Sequence, residues 1–474
     1  FLTILFAFLF FALTFYLRNT VGSLSSPFVI VFLGTVALSL IVHRWEVLIL
    51  IVLICTSTVF EMLEFPTIPI AIGDLFYTDI LLFLLILSRI VRRVTENVVI
   101  IPKPMGYPIL ASILVGIFSF IYATVGLNVS TTLAGIELRP IIYLALFFVV
   151  VYAIKTLRQL NTLLLGIMIT SVIVAALLAV QHLIGTETSI IAGRVEMLRT
   201  AEKRYSDLTR VLIPGSSMVF FALIACIAIF VLKGLKRRAR NLLLLVIATL
   251  CLGLILTFTR VFWIMVFAAT VLMLIIARRQ KIVYPRMTML IVIAGLVLTL
   301  VIQTNSLNSA VIKEAVLRRS ASILSATERF REDTLFVRYL ESRYAWQKIV
   351  ENPLLGIGLG NQYRPVIFGN VYYEKISKGT QLHNGYFATQ LKMGLLGTIV
   401  FLWLIGAFLH RFFKRWKLIK DPLYQSVALG VAVCVGGMLI SNLISSPFLA
   451  IHWVAVFSVS MGVVEKIYQF EDIS

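Results

Sequence analysis

Apolar residues along this chain fall in runs of about 15 to 25, and a helix needs roughly 20 such residues to cross a hydrocarbon core. The pattern predicts fourteen spans, at 1–17, 27–42, 46–60, 75–91, 106–123, 140–154, 161–184, 211–232, 241–258, 261–277, 286–303, 385–409, 423–441 and 447–465. The second and third are short, and a short pair can be re-entrant, so the range is twelve to fourteen. Asn241 to Ala277, read as one helix, would rise about 55 Å against a core of roughly 30 Å. A turn is therefore predicted near Thr257-Phe258-Thr259-Arg260.

Two longer polar segments, 185–210 and 304–384, interrupt the pattern. They divide the chain into helices one to eleven (1–303, with the outer loop 185–210), a loop carrying amphipathic helices (304–384), and three last helices (385–474). Within the loop, 335–350 has helical spacing of Leu335, Tyr339, Trp346, Ile349 and Val350. Asn352-Pro353 ends that helix, because the residue before proline avoids helical backbone angles. Gly356, Gly358 and Gly360 then permit a tight loop that exposes its backbone.

Composition narrows the class. The chain is 60% hydrophobic and 14% charged, with mean hydropathy +1.00, whereas soluble domains carry about 25% charged residues. Soluble, collagen-like, disordered and disulfide-stapled readings are excluded, leaving an all-α polytopic membrane protein of twelve to fourteen transmembrane helices with a large helical loop, which the resemblance given below implies is periplasmic. Cys55, Cys226, Cys251 and Cys434 lie inside apolar runs and read as small buried hydrophobes. Phe1 rather than Met opens the chain, so upstream residues are expected.

The net charge of +20 would suggest nucleic acid in a soluble protein. In a membrane protein, Lys and Arg collect in cytoplasmic loops anyway. With the N-terminus inside, 22 basic residues of short loops fall on one side, among them Arg92, Arg93, Arg237, Arg238, Lys414 and Arg415. Both termini are then cytoplasmic, and no nucleic-acid partner is implied. The segments 185–210 and 304–384 lie on the opposite side. The second carries eleven Lys/Arg against seven Asp/Glu, and loops this long escape the charge rule.

Polar groups gather where the spans end on that outer side. His383-Asn384 closes the long loop, Arg260 sits at the turn between spans nine and ten, and Arg210 and Arg139 precede spans eight and six. A guanidinium is a fork of donors suited to phosphate oxygens, although a boundary arginine also snorkels to headgroups. Histidine titrates near neutrality and can take a proton from a hydroxyl, although at a helix start it also serves as a plain cap. Arg338 and Arg343 belong to the solvated face of the 335–350 helix or support the site. His182, His410 and His452 are assigned structural roles. The six aspartates are never two apart, and no His/Cys/Glu cluster has metal-ligand spacing. Chemistry on a phosphate-bearing substrate would use arginines in place of a metal, with no cofactor.

The run from Trp346 through Asn352-Pro353-Leu354-Leu355-Gly356-Ile357-Gly358-Leu359-Gly360-Asn361, then His383-Asn384-Gly385-Tyr386 and Lys392-Met393-Gly394-Leu395-Leu396-Gly397, resembles the signature of the O-antigen ligase/polymerase superfamily. Thr257-x-Thr259-Arg260 looks like its Ser/Thr-Arg element, and Arg210 before Pro214-Gly215 is similar to the arginine preceding its middle spans. The strong likeness covers about 340–401 and a looser one 200–263. The resemblance implies a metal-independent glycosyltransferase of the bacterial inner membrane, with its active site facing the periplasm. It implies undecaprenyl-diphosphate-linked glycan as donor, and lipid A-core or a growing glycan as acceptor, among membrane lipids. It also implies His383 as base and Arg210 and Arg260 as diphosphate binders; Arg139, Arg338, Arg343 and Asn384 are candidate supporting residues from their places in the chain.

Ligase-type transfer is the expected reaction, with polymerase of the same superfamily as the alternative. A lipid-linked glycan transporter would need paired helical repeats and broken, polar mid-membrane helices. The sequence shows neither. A non-enzymatic scaffold leaves the outer His/Arg set unexplained.

Overall fold

The computed structural model describes residues 44–56, 68–70, 73–75, 77–95, 102, 104–186, 194–199, 204–277, 333–365 and 379–471. The predicted spans 1–17, 27–42 and 286–303, and segments 304–332 and 366–378 of the long loop, lie outside them. The other eleven predicted spans all fall on helices. In order these are α1 (Trp45–Thr56), α2 (Tyr77–Thr95), α3 (Gly106–Ile121), α4 (Thr131–Ile142), α5 (Leu146–Ala153), α6 (Leu157–Ile184), α7 (Ser216–Leu232), α8 (Arg237–Leu256) and α9 (Arg260–Ala277). After the long loop's helix α10 (Asp333–Glu351) come α11 (Gly385–Arg415), α12 (Pro422–Ser441) and α13 (Ile451–Phe470). The helix α3 runs on as one π turn, Tyr122–Gly126, and a 3-10 turn, Tyr143–Ala145, joins α4 to α5.

Among the described residues eight helical stretches are long and apolar enough to cross a membrane, and three shorter apolar helices accompany them. This is an all-α polytopic membrane protein. The span predicted at 140–154 is longer than its apolar run, because α4 and α5 stack into one stretch from Thr131 to Ala153. Short hairpins, β1 (Ile68–Ile70) with β2 (Gly73–Leu75) and β3 (Arg194–Arg199) with β4 (Arg204–Leu212), are the strands present among the described residues. The second hairpin was expected as loop; its apolar alternation is short, with the cross-strand pair Val195 and Val211 set among charged residues.

Helix limits follow local chemistry. Asp421 caps α12 by accepting from the Leu423 N–H at 2.7 Å, with Pro422 at the first helical position. Thr156 caps α6 through the Gln159 N–H, and Gly185, at φ 91°, ends it. The predicted turn after α8 is present: Phe258 takes φ 47° and Thr257 Oγ1 donates to the Leu254 carbonyl.

The helices α7, α12 and α13 form the centre, almost wholly buried, and the others pack around them. Outward faces of the surrounding helices carry Leu114, Phe118, Leu165, Ile169, Leu245, Phe267 and Trp403. Such a surface is an aggregation liability in water and the ordinary face toward lipid.

Two ends of the bundle differ. At one, Tyr424 of α12 donates to Asn161 of α6, and Arg411 of α11 makes a bidentate pair with Glu465 of α13 at 2.8 and 2.6 Å. The basic stretches 233–240 and 411–420 sit there too. At the other end Gly385 of α11 donates its N–H to the Asn442 carbonyl past α12 at 2.8 Å. Ser217 of α7 donates to the His452 carbonyl, and Phe262 of α9 stacks on Trp453 of α13 at 5.7 Å. The ends of α6, α7, α9, α11, α12 and α13 therefore converge on one face.

Candidate active site

The glycine loop after α10 anchors the site. Gly356, Gly358 and Gly360 have φ of 71°, 82° and 73°, a region that L side chains rarely adopt. A Cβ on Gly356 would lie 2.5 Å from the Leu391 carbonyl oxygen, and one on Gly358 would lie 2.7 Å from Ala123 Cβ. The loop does not expose its backbone as expected; it is buried, because α3, α4 and α11 close on it.

That docking breaks α11. Gly394 takes φ 62°, and the carbonyls of Leu391 and Lys392 accept from the N–H groups of Ile357 (2.7 Å) and Gly358 (3.2 Å) instead of from their own helix. Lys392, buried at the break, pairs with Glu137 of α4 at 3.0 Å and donates to the Asn361 carbonyl at 2.7 Å. Glu137 also accepts the Gly360 N–H at 2.7 Å. This pair of half-buried Glu137 with buried Lys392 escaped the sequence reading. It staples loop to helix, and each buried charge has a partner.

Past the loop, His383 enters α11. Its Nδ1 lies 2.8 Å from Oε2 of Glu341 on α10, and the same oxygen accepts the His383 backbone N–H at 3.4 Å. Glu341 is 2% exposed and His383 31%. Glu341 Oε1 accepts from Arg364 Nη2 at 3.2 Å, and Arg364 is buried as well. Around them Ala345, Ile349, Ile357, Tyr363, Leu382 and Leu391 form a small apolar cluster apart from the main core. An ionised carboxylate only accepts, so Nδ1 donates, and the neutral ring then carries its lone pair on Nε2.

Sequence reasoning missed Glu341 and Arg364. The apolar spacing over 335–350 did locate the helix, but Tyr339, Trp346 and Val350 are exposed, and the buried stripe is Glu341, Ala345 and Ile349. A carboxylate on a stripe of spacing four was the available signal.

The other predicted residues separate by role. Asn384 accepts from the N–H groups of Tyr386 and Phe387, both at 3.1 Å, so its side chain caps α11. A Cβ on Gly385 would clash with the amide of Asn442, which is 1% exposed and whose side-chain atoms have no hydrogen-bond partner among the described residues. Arg260 is the first residue of α9, at the turn held by Thr257 and Thr259. Arg210 faces Glu196 across the β3–β4 hairpin, 3.3 Å apart. His182 Nδ1 donates to the Thr209 carbonyl at 2.8 Å, tying that hairpin to α6. Arg139 is bound to Asp79 at 2.8 Å, and Tyr143 donates to the same carboxylate oxygen. Arg338 lies one turn before Glu341, partly buried, whereas Arg343 is exposed. The structure thus joins His383 to Glu341 and Arg364, sets Arg210 and Arg260 at the same end of the bundle through separate elements, and engages Arg139 elsewhere.

Beneath the His383 turn lies a small apolar cleft of about 50 Å³, with Ser112, Ile141, Thr389, Phe401, Phe448 and Phe457 in its wall. Thr389 is six residues after His383, about 9 Å along a helix.

Residues 245–402, about a third of the chain, match the family described as O-antigen ligase. That stretch contains Arg260, Glu341, Arg364, His383 and Asn384, and leaves Arg139 and Arg210 outside it. No curated protein matches the chain.

Proposed function

We propose, from the match of residues 245–402 to the O-antigen ligase family, that this membrane protein transfers a glycan from undecaprenyl diphosphate to a hydroxyl of lipid A-core at the periplasmic face of the bacterial inner membrane. The observation that carries the reading is His383: partly exposed, with Nδ1 held 2.8 Å from a buried carboxylate.

The acceptor oxygen attacks the anomeric carbon, forming the new C–O bond as the bond to diphosphate breaks. The electron pair leaves on the diphosphate, and the hydroxyl proton passes to His383 Nε2. Arg210 and Arg260 stabilise the charge growing on the departing group. One displacement with no enzyme nucleophile inverts the anomeric centre. The basic end of the bundle, opposite His383, is the cytoplasmic end by the positive-inside rule.

The test is product analysis with purified protein in detergent, given undecaprenyl-diphosphate glycan with and without lipid A-core. A single core-dependent band shift is expected. A ladder of longer lipid-linked glycans without core would replace ligase by polymerase. No product from folded protein that binds donor would sink both.

For the arginines, Arg210→Ala and Arg260→Ala should each weaken donor binding by about tenfold or more, the value of one to two charge-assisted hydrogen bonds. Binding of the labelled donor to each variant measures this. Unchanged affinity in both returns the two arginines to headgroup contact.

A further inference from the structure

We propose that Glu341 and Arg364 are the positioning pair of the base: Glu341 fixes the His383 ring and balances its positive charge during transfer, and Arg364 fixes Glu341. This rests on the reading of His383 as base.

Three elements distant in sequence meet here. Glu341 comes from the middle of α10, Arg364 from the chain just past the glycine loop, and His383 from the entry to α11. One Glu341 oxygen holds both the ring nitrogen (2.8 Å) and the backbone N–H (3.4 Å) of His383, so ring and main chain are set together. The second oxygen is taken by Arg364, which stops the carboxylate from turning away. Arg364 is itself held, with Nη1 donating to the Pro365 carbonyl at 3.2 Å and its guanidinium 5.8 Å from the Tyr363 ring centroid.

Stability alone does not explain the pair. Its surroundings are Ala345, Ile349, Ile357, Leu382 and Leu391, and a buried ion pair in such a place is often replaceable by apolar residues without loss. What apolar residues cannot do is select the ring tautomer or face the imidazolium. In the transfer, the proton from the acceptor hydroxyl moves to Nε2, and the ring then carries a positive charge opposite Glu341. The carboxylate keeps its charge and takes no proton, as a carboxylate behind a catalytic histidine does in serine hydrolases. The described part of the long loop is on this account a support of the base.

The experiment is a single-turnover assay with undecaprenyl-diphosphate glycan and lipid A-core, run on full-length wild type, Glu341→Gln, Glu341→Asp, His383→Ala and the Glu341→Gln/His383→Ala double variant. Glu341→Gln is expected to lower the rate per folded molecule at saturating donor by about 100-fold or more, with half-saturating donor concentration unchanged and a lower thermal midpoint, because buried Arg364 loses its charged partner. In the His383→Ala background the same change should cost nothing further, because Glu341 acts only through the ring. A wild-type rate in Glu341→Gln, or an equal loss with His383 already removed, overturns the proposal. Should Glu341→Gln fail to fold, Glu341→Asp keeps the charge but withdraws it by one methylene. It must slow turnover with donor affinity intact, and a wild-type rate there overturns the proposal equally. The two readings fail differently. Full activity in His383→Ala removes the base itself, whereas inactive His383→Ala beside fully active Glu341→Gln removes the positioning role alone.

Discussion

His383→Ala should bind the lipid-linked donor like wild type and transfer its glycan about 10²- to 10⁴-fold more slowly, the range a positioned general base supplies. The variant should also fold. Asn384 still caps α11, and the Gly385 N–H still reaches the Asn442 and Ser445 carbonyls. Glu341 loses a ring but keeps Arg364, so no buried charge is stranded. Loss of turnover with an unchanged unfolding midpoint therefore separates chemistry from scaffolding. Donor affinity and single-turnover rate, measured on one preparation, check the claim. Transfer at the wild-type rate would leave His383 as a helix-entry residue and send the search for a base elsewhere.

The largest effect on stability is expected at the opposite end of the bundle. Arg411 and Glu465 are 7% and 4% exposed, joined by two parallel hydrogen bonds, with the guanidinium 5.3 Å from the Tyr468 ring. Glu465→Ala strands the arginine in a space with no water to solvate it, a loss of about 3–5 kcal/mol. Replacing both partners by methionine should recover most of that, since neither charge then remains to be compensated. Thermal unfolding in detergent reads the order: Glu465→Ala well below wild type, the double variant near it. Glycan transfer per folded molecule should stay at the wild-type value in both, because His383 lies at the other end of α11. An unchanged midpoint in Glu465→Ala would mean that the pair is solvated and that the central helices draw their stability from apolar packing alone.

Some of the site was legible before any coordinates. His383-Asn384 at a helix entry, arginines at span ends, and glycines at alternate positions all carry local signals. Glycine marks backbone angles that other residues avoid, and Asn before a helix marks a cap. Even so, the signal fixed place more than role. Asn384 proved to be the cap of α11 while its neighbour His383 holds the exposed ring. Arg139 and Arg210, alike in sequence, prove to be paired with different carboxylates, Asp79 and Glu196. The glycines serve close approach of backbones and not exposure, a distinction that depends on what the rest of the chain brings against them.

By itself the sequence determined that the chain forms apolar helices, where most of them stop, where α8 must turn into α9, and that basic residues mark one end of the bundle. Each of these depends on residues close together in the chain and on a solvent that is nearly the same for every membrane helix. Only the tertiary structure decided which polar residues meet. Glu341 and His383 are 42 positions apart, Arg364 and Glu341 are 23, and Gly360 and Glu137 are 223. Contacts at such separations have no period and no local composition to announce them. They exist because burying a charge away from water is tolerable only beside an opposite charge, and the packing of the helices selects which one that is.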